Sequence, residues 1–205
     1  MRRRLLLVLG ALLAALLVVP AAQVGVSGLQ TQRAQSDLLE ELEPPATAGG
    51  SGPEASSNPA VATSVEHGRP LAVMEIPRLG DSWRWAALEG TDDDVLADGI
   101  GHYPGTPLPG VVGNVAFAGH RAGHGSPFLD FDELRPGDEV RISQGEHTWT
   151  YRLTTTPRKI DTDADWVLDP LPGHQLTLTT CWPKYGSLAR LYVRGELAGV
   201  GPRTT

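Results

Sequence analysis

From Leu71 onward, glycine, proline and aspartate interrupt the chain before any helical spacing of apolar residues can build up. Between the breaks stand short alternating runs: LAVMEIP, SWRWAALE, VGNVAFAGH, DEVRIS, HTWTYRLTTT, QLTLTTC and RLYVRGEL. Neighbouring side chains on a strand point to opposite faces, so such runs can bury one face and wet the other. Turn chemistry fills the gaps, in RLGDS, PGTPLPG, RPGDE and SQGE. The 135 residues from 71 to 205 are therefore expected to form one all-β domain, a barrel or a sandwich. One short helix is expected within TDDDVLADG, with Thr91 or Asp92 capping its start.

The N-terminus has a different texture. Arg2, Arg3 and Arg4 are followed by 22 positions, Leu5 to Val26, without a charge. As a helix these would span roughly 33 Å, enough for a bilayer core of about 30 Å. Basic residues ahead of the run favour a cytoplasmic N-terminus and an extracytoplasmic remainder. Residues 1–27 are thus read as an uncleaved signal anchor, with a cleaved signal peptide as the alternative, because VVPAAQ offers small residues for cleavage. Residues 28–70, rich in Pro, Gly, Ala, Ser and Glu, are read as a flexible stalk reaching on the order of 35 Å from the membrane. Within it, TQRAQSDLLEELE could continue as a helix. The expected location is the cell membrane, single-pass, with 71–205 as the working domain outside.

Charge narrows the partners. The net charge of −7 becomes −10 without the three N-terminal arginines, which argues against nucleic acid, since that partner needs a basic footprint.

Cys181 is the sole cysteine. Outside a cell an unpaired thiol is either reactive or a small buried hydrophobe, and composition alone favours the second. Strand parity gives it a context. In LTLTTC, Leu176 and Leu178 share one face, and Thr177, Thr179 and Cys181 the other. In ARLYVRG, Arg190, Tyr192 and Arg194 oppose Leu191 and Val193. The two runs are joined closely enough to be sheet neighbours, which sets Cys181 at a strand end facing Arg190 at a strand start. A thiol running acyl chemistry needs a proton partner, usually histidine. Of the six histidines, His67, His147 and His174 read as solvated. His120 ends a strand on which only Ala116 and Ala118 share its parity, leaving room for a substrate. His120 and His124 as a metal pair lack a third ligand in a glycine-broken segment, so no metal is expected there. Asp161, Asp163, Asp165 and Asp169 resemble calcium ligands only by type, without the rest of an EF-hand loop, and no cofactor is expected.

TLTTCWPKYGSLARLYV, GIGHYPGTPLPGVVGNVAFAGHR and MEIPRLG together resemble the sortases, cysteine transpeptidases that attach proteins to Gram-positive cell walls. The likeness covers about Leu71 to Ala198, and GHY and C-x-P look most like the class E housekeeping type. It implies a closed β-barrel of about eight strands with short helices. It implies Cys181 as nucleophile, His120 as general acid/base and Arg190 as the oxyanion or substrate-positioning group, with Tyr103 and Thr180 contacting substrate. The implied partners are secreted proteins with a C-terminal sorting signal, cleaved between Thr and Gly, and a cell-wall amine that accepts them. RKIDTDADWVLDPLPGHQ occupies the place of the loop that holds the signal. Class E further implies a signal with alanine rather than proline at its second position, with the Tyr103 hydroxyl a candidate to accept the alanine N–H. Tyr103 could equally be an aromatic anchoring its loop. The rival readings are an extracytoplasmic Cys/His peptidase and a non-catalytic anchored β-domain that binds wall polymer. Peptidases of the papain-like type usually place Cys before His, the reverse of the order here.

Overall fold

The computed structural model describes residues 28–43 and 65–203. The expected membrane span, 1–27, and the Pro/Gly-rich stretch 44–64 lie outside the described residues. No helix among the described residues is long and apolar enough to cross a membrane.

Nine strands follow one another: β1 (Pro70–Glu75), β2 (Arg84–Glu89), β3 (Ile100–His102), β4 (Gly113–Ala118), β5 (Glu139–Gln144), β6 (His147–Leu153), β7 (Arg158–Ile160), β8 (His174–Trp182) and β9 (Ala189–Pro202). Their order is β6-β5-β1-β2-β3-β4-β8-β9, and β6 pairs back onto β9, so eight strands close a barrel. Closure removes the exposed edges that an open sheet would leave. The length of β9 makes this possible. One edge of it pairs with β8, while the other pairs first with β7 through Arg190–Tyr192 and then with β6 from Gly195 to Pro202.

Seven strands match the alternating runs of the sequence. The two that escape it, β3 and β7, have three residues each, too few to show a period of two. The short helix α2 (Asp93–Asp98) forms as expected, with the Asp92 carboxylate accepting from the Val95 N–H at 3.4 Å. Inside the barrel, Val115 and Phe117 of β4 meet Leu176 and Leu178 of β8 and Leu191 and Val193 of β9, all buried in one cluster. The segment between β4 and β5 adds Phe128 and Phe131, packed edge to face with ring centroids 5.3 Å apart.

Residues 28–42, composed like a solvated stalk, form a helix, α1, laid against the barrel. Here the helical continuation is what the structure shows. Thr31 and Gln35, one helical turn apart, form the buried part of its contact. The Thr31 hydroxyl donates to Ala97 O at 2.8 Å, and the Gln35 amide donates to Asp98 O at 2.6 Å while accepting from the Ala86 N–H at 2.8 Å. Ala86 lies one residue before β2 begins to pair with β3, so Gln35 satisfies a strand N–H that lacks a neighbour there. At the helix end, Arg69 and Arg84 of the barrel add ion pairs to Glu41 at 3.0 Å and Glu43 at 2.7 Å, so a polar face docks the helix.

Candidate active site

Three strand ends converge on one side of the barrel. The β8–β9 ladder sets Cys181 directly opposite Arg190. β4 runs parallel to β8 with Ala118 level with Thr179, and two residues further along the same register His120 comes level with Cys181. All three residues line one cleft of about 470 Å³. Parity has therefore placed the thiol, the imidazole and the guanidinium together.

The turn that carries His120 is held by its main chain. The His120 carbonyl accepts from the Phe128 N–H at 3.0 Å, the Gly119 N–H donates to Thr179 O at 3.2 Å, and the Thr180 hydroxyl donates to Gly119 O at 2.8 Å. A Cβ at Gly119 would come within 2.7 Å of the Phe128 ring, so only glycine lets that ring pack beneath the turn. Thr180 lines the cleft, but its hydroxyl is engaged in bracing the His120 turn.

The His120 ring stacks on His124, centroids 4.7 Å apart and planes within 23°. Burial, and secondarily the nearby His124, push the His120 pKa below the ordinary imidazole value. His124 occupies the left-handed region, at φ 48°, which turns its ring back over His120. Cys181 is a free, half-buried thiol. Arg190 donates only to the neighbouring Ala189 carbonyl, at 3.4 Å, and among the described residues no carboxylate pairs with it. Its remaining N–H groups are available to a ligand.

Tyr103, just past β3, lines the same cleft, with its hydroxyl 2.9 Å from Thr179 Oγ1. Thr179 Oγ1 also lies 3.4 Å from Phe117 O, and the Tyr103 hydroxyl, which can accept as well as donate, borders the cleft. Below it lies a buried pair that parity alone did not suggest. His102 Nδ1 sits 2.6 Å from Glu89 Oε2, and Nε2 faces Pro107 O at 3.1 Å and Thr106 Oγ1 at 3.0 Å. Thr106 also donates to Tyr103 O at 2.8 Å, which ties this network to the Tyr103 main chain. The signal was present in GIGHY, where His102 has the opposite parity to Tyr103 on an apolar, glycine-flanked run.

The long β7–β8 connection walls the cleft through Asp161, Asp165 and Val167. It is fastened by Asn114 of β4, whose amide donates to Val167 O at 2.9 Å and Asp169 O at 3.2 Å while its oxygen accepts from the Thr177 hydroxyl at 2.7 Å. This explains why β8 is buried on both faces although its sequence alternates. Of the histidines expected in solvent, His147 is exposed and His67 pairs with Asp92 at 2.9 Å on the surface. His174 instead opens β8, half-buried, with Nδ1 unpartnered among the described residues.

Residues 74–198 match the family model of the sortase domain. The chain belongs to the sortase family. Sortase SrtE1 of Streptomyces coelicolor is 32% identical over 161 residues, which is 69% of this chain and 44% of that protein. The sortase thus spans about half the length of the curated relatives it matches. Among solved structures, sortase E from Streptomyces avermitilis superposes with a TM-score of 0.63 at 44% identity, covering 67% of this chain and 93% of that one. Sortase E1 from Streptomyces coelicolor, solved with a tripeptide in its active site, gives 0.62 at 30% identity over 66% and 92%.

Proposed function

We propose that the protein is a cysteine transpeptidase that cleaves a C-terminal sorting signal between Thr and Gly and passes the acyl fragment to a cell-wall amine. The observation that carries this reading is the shared cleft, which Cys181, His120 and an Arg190 without a carboxylate partner among the described residues line together. Cys181 attacks the threonine carbonyl, and the oxyanion that forms meets the guanidinium of Arg190, a donor that stays charged. His120 protonates the departing glycine amine, without which that amine is a poor leaving group. A thioester remains on Cys181. A second amine then attacks the thioester carbon, giving its proton to His120.

Burial of His120 favours its neutral form, so the acid is a minor species at neutral pH and is regenerated from the thiol proton within the pair. The Tyr103 hydroxyl oxygen, which can accept a hydrogen bond, suits a signal whose second residue carries an N–H. Alanine has that donor and proline lacks it. We read the enzyme as most like class E on this ground and on the named relatives. Residues 1–27 would anchor it in the cell membrane by a single pass, with the catalytic domain outside. Its protein substrates would be secreted chains that carry the signal.

The test is mass spectrometry of the enzyme after incubation with L-A-x-T-G and L-P-x-T-G peptides. A mass increase equal to the acyl fragment on Cys181 is expected with the alanine peptide. Absence of any adduct, with cleavage also absent, would overturn the reading.

A further inference from the structure

Glu89 and His102 are 8% and 1% exposed, face each other as register partners on β2 and β3, and take no part in the chemistry proposed above. We propose that they form a positioning pair for Tyr103: a proton held between them obliges His102 to clasp the turn from Tyr103 to Pro107, and the clasp sets the reach of the Tyr103 hydroxyl into the cleft. The inference rests on the reading of Tyr103 as the residue that meets the alanine N–H of the signal.

The acceptors around the ring decide where its hydrogens lie. Pro107 O, 3.1 Å from His102 Nε2, can only accept, so Nε2 carries a hydrogen. A neutral ring with its hydrogen on Nε2 would turn a bare Nδ1 toward the Glu89 carboxylate 2.6 Å away, lone pair against lone pair. That contact needs a hydrogen of its own. The pair therefore holds one proton more than a neutral histidine beside an ionised glutamate, and this proton lies between Nδ1 and Oε2. The Phe117 ring, edge on to His102 with centroids 5.2 Å apart, covers the imidazole from β4.

Consecutive strand residues point to opposite faces, so His102 turns inward while Tyr103 turns to the cleft. From inside, the ring reaches forward along the chain to Thr106 Oγ1 at 3.0 Å and to Pro107 O, and Thr106 Oγ1 in turn lies 2.8 Å from Tyr103 O. The Tyr103 N–H is held separately, by Ala116 O at 2.9 Å. Little else fixes the turn, because β3 pairs with β4 only through Gly101 and His102. A recognition group has to be held within about 0.5 Å of its productive place, and that takes a support whose own hydrogen bonds are fixed. The buried pair supplies it, since Glu89 sets which ring nitrogens carry hydrogen and His102 passes that choice to the turn.

The test measures kcat/KM of the full chain on L-A-x-T-G and L-P-x-T-G peptides and takes the alanine-to-proline ratio. His102→Phe keeps a ring in the core but deletes the clasp, and should lower the ratio at least about threefold. Placed in a Tyr103→Phe background, the same change should leave the ratio within about 1.5-fold, because a residue that acts through the Tyr103 hydroxyl then has nothing to position. Thr106→Val leaves the buried pair intact, should lower the ratio in the same direction, and carries the test if His102→Phe does not fold. Glu89→Gln should hold the ratio within about twofold of wild type, since a glutamine amide donates to Nδ1 and keeps the hydrogen on Nε2. Two-bond proton–nitrogen NMR correlations of the wild-type ring should show Nε2 protonated. An unprotonated Nε2, an unchanged ratio in Thr106→Val or in folded His102→Phe, a larger fall in Glu89→Gln, or a further fall in the Tyr103→Phe background overturns the proposal. If the wild type cleaves neither peptide, or Tyr103→Phe leaves the ratio at its wild-type value, the parent reading fails and this inference falls with it.

Discussion

The site is built from two kinds of support, and they differ in what fixes them. Cys181 and Arg190 are strand-borne, opposed across a continuous antiparallel ladder that runs from Gln175 to Trp182 on one side. His120 and Tyr103 stand just beyond the ends of β4 and β3, where the ladders have stopped. The first pair is positioned by register, which cannot slip without turning every side chain to the other face. The second pair extends those registers by one or two residues past the last paired position, where single main-chain bonds, Gly119 N–H to Thr179 O and Tyr103 N–H to Ala116 O, and ring contacts take over. Register makes a geometry rigid, whereas side-chain packing makes it adjustable. The residues proposed here as proton partner and specificity group sit on the adjustable half.

If that contrast holds, strand-borne substitutions should give losses too large to be tuned. Cys181→Ala removes the atom that forms the thioester and should abolish both cleavage and transfer in a peptide assay. Its thermal midpoint should stay close to that of wild type, since a half-buried thiol contributes little packing. Residual turnover would remove Cys181 from the chemistry. Arg190→Lys keeps the charge but loses the planar fork, and kcat/KM should fall at least about tenfold, or ~1.4 kcal/mol of transition-state stabilisation. Near-normal kinetics would reduce Arg190 to a ladder residue.

On the loop-borne half, Tyr103 should affect selectivity more than rate. Tyr103→Phe removes the hydroxyl that pairs with Thr179. It should lower kcat/KM on the alanine peptide by about three- to tenfold while leaving the proline peptide nearly untouched, the size expected of one lost hydrogen bond. An equal loss on both peptides would assign Tyr103 to anchoring its loop.

The same division explains what could be read from the sequence. Alternation placed seven strands, and with it the faces of Cys181, Arg190 and His120, because period two survives in any stretch of five or six residues. The roles proposed for these residues came instead from the resemblance of the motifs around them to the sortases. Contacts set by side chains from distant segments left no such trace. Gln35 bonds to Ala86, 51 residues away, and so turned part of an apparent stalk into a docked helix. Glu89 and His102 meet 13 residues apart through a parallel pairing of β2 with a three-residue strand. Asn114 fastens a loop over 50 residues downstream, burying a strand face that its alternating polarity marked as wet.

His124 offers the finest test of the adjustable half, because it touches the chemistry only through His120. Its ring lies over the His120 ring, so it both shields that imidazole from water and, when charged, opposes a second positive charge beside it. Both effects lower the His120 pKa. His124→Ala should therefore keep most of the peptidase and transfer rate while moving the His120 titration upward, toward the ordinary imidazole value, as followed by NMR of the ring protons. Stability responds with a definite sign. A histidine whose folded pKa is depressed is protonated more readily in the unfolded chain, so its contribution is intact above the ordinary value of about 6.5 and is lost as pH falls from there toward the folded pKa. The variant, with its folded pKa closer to the unfolded one, should lose less stability than wild type across that interval. An unmoved His120 titration would mean that burial by the barrel alone sets it, and would place the proton partner under the control of the rigid half of the site.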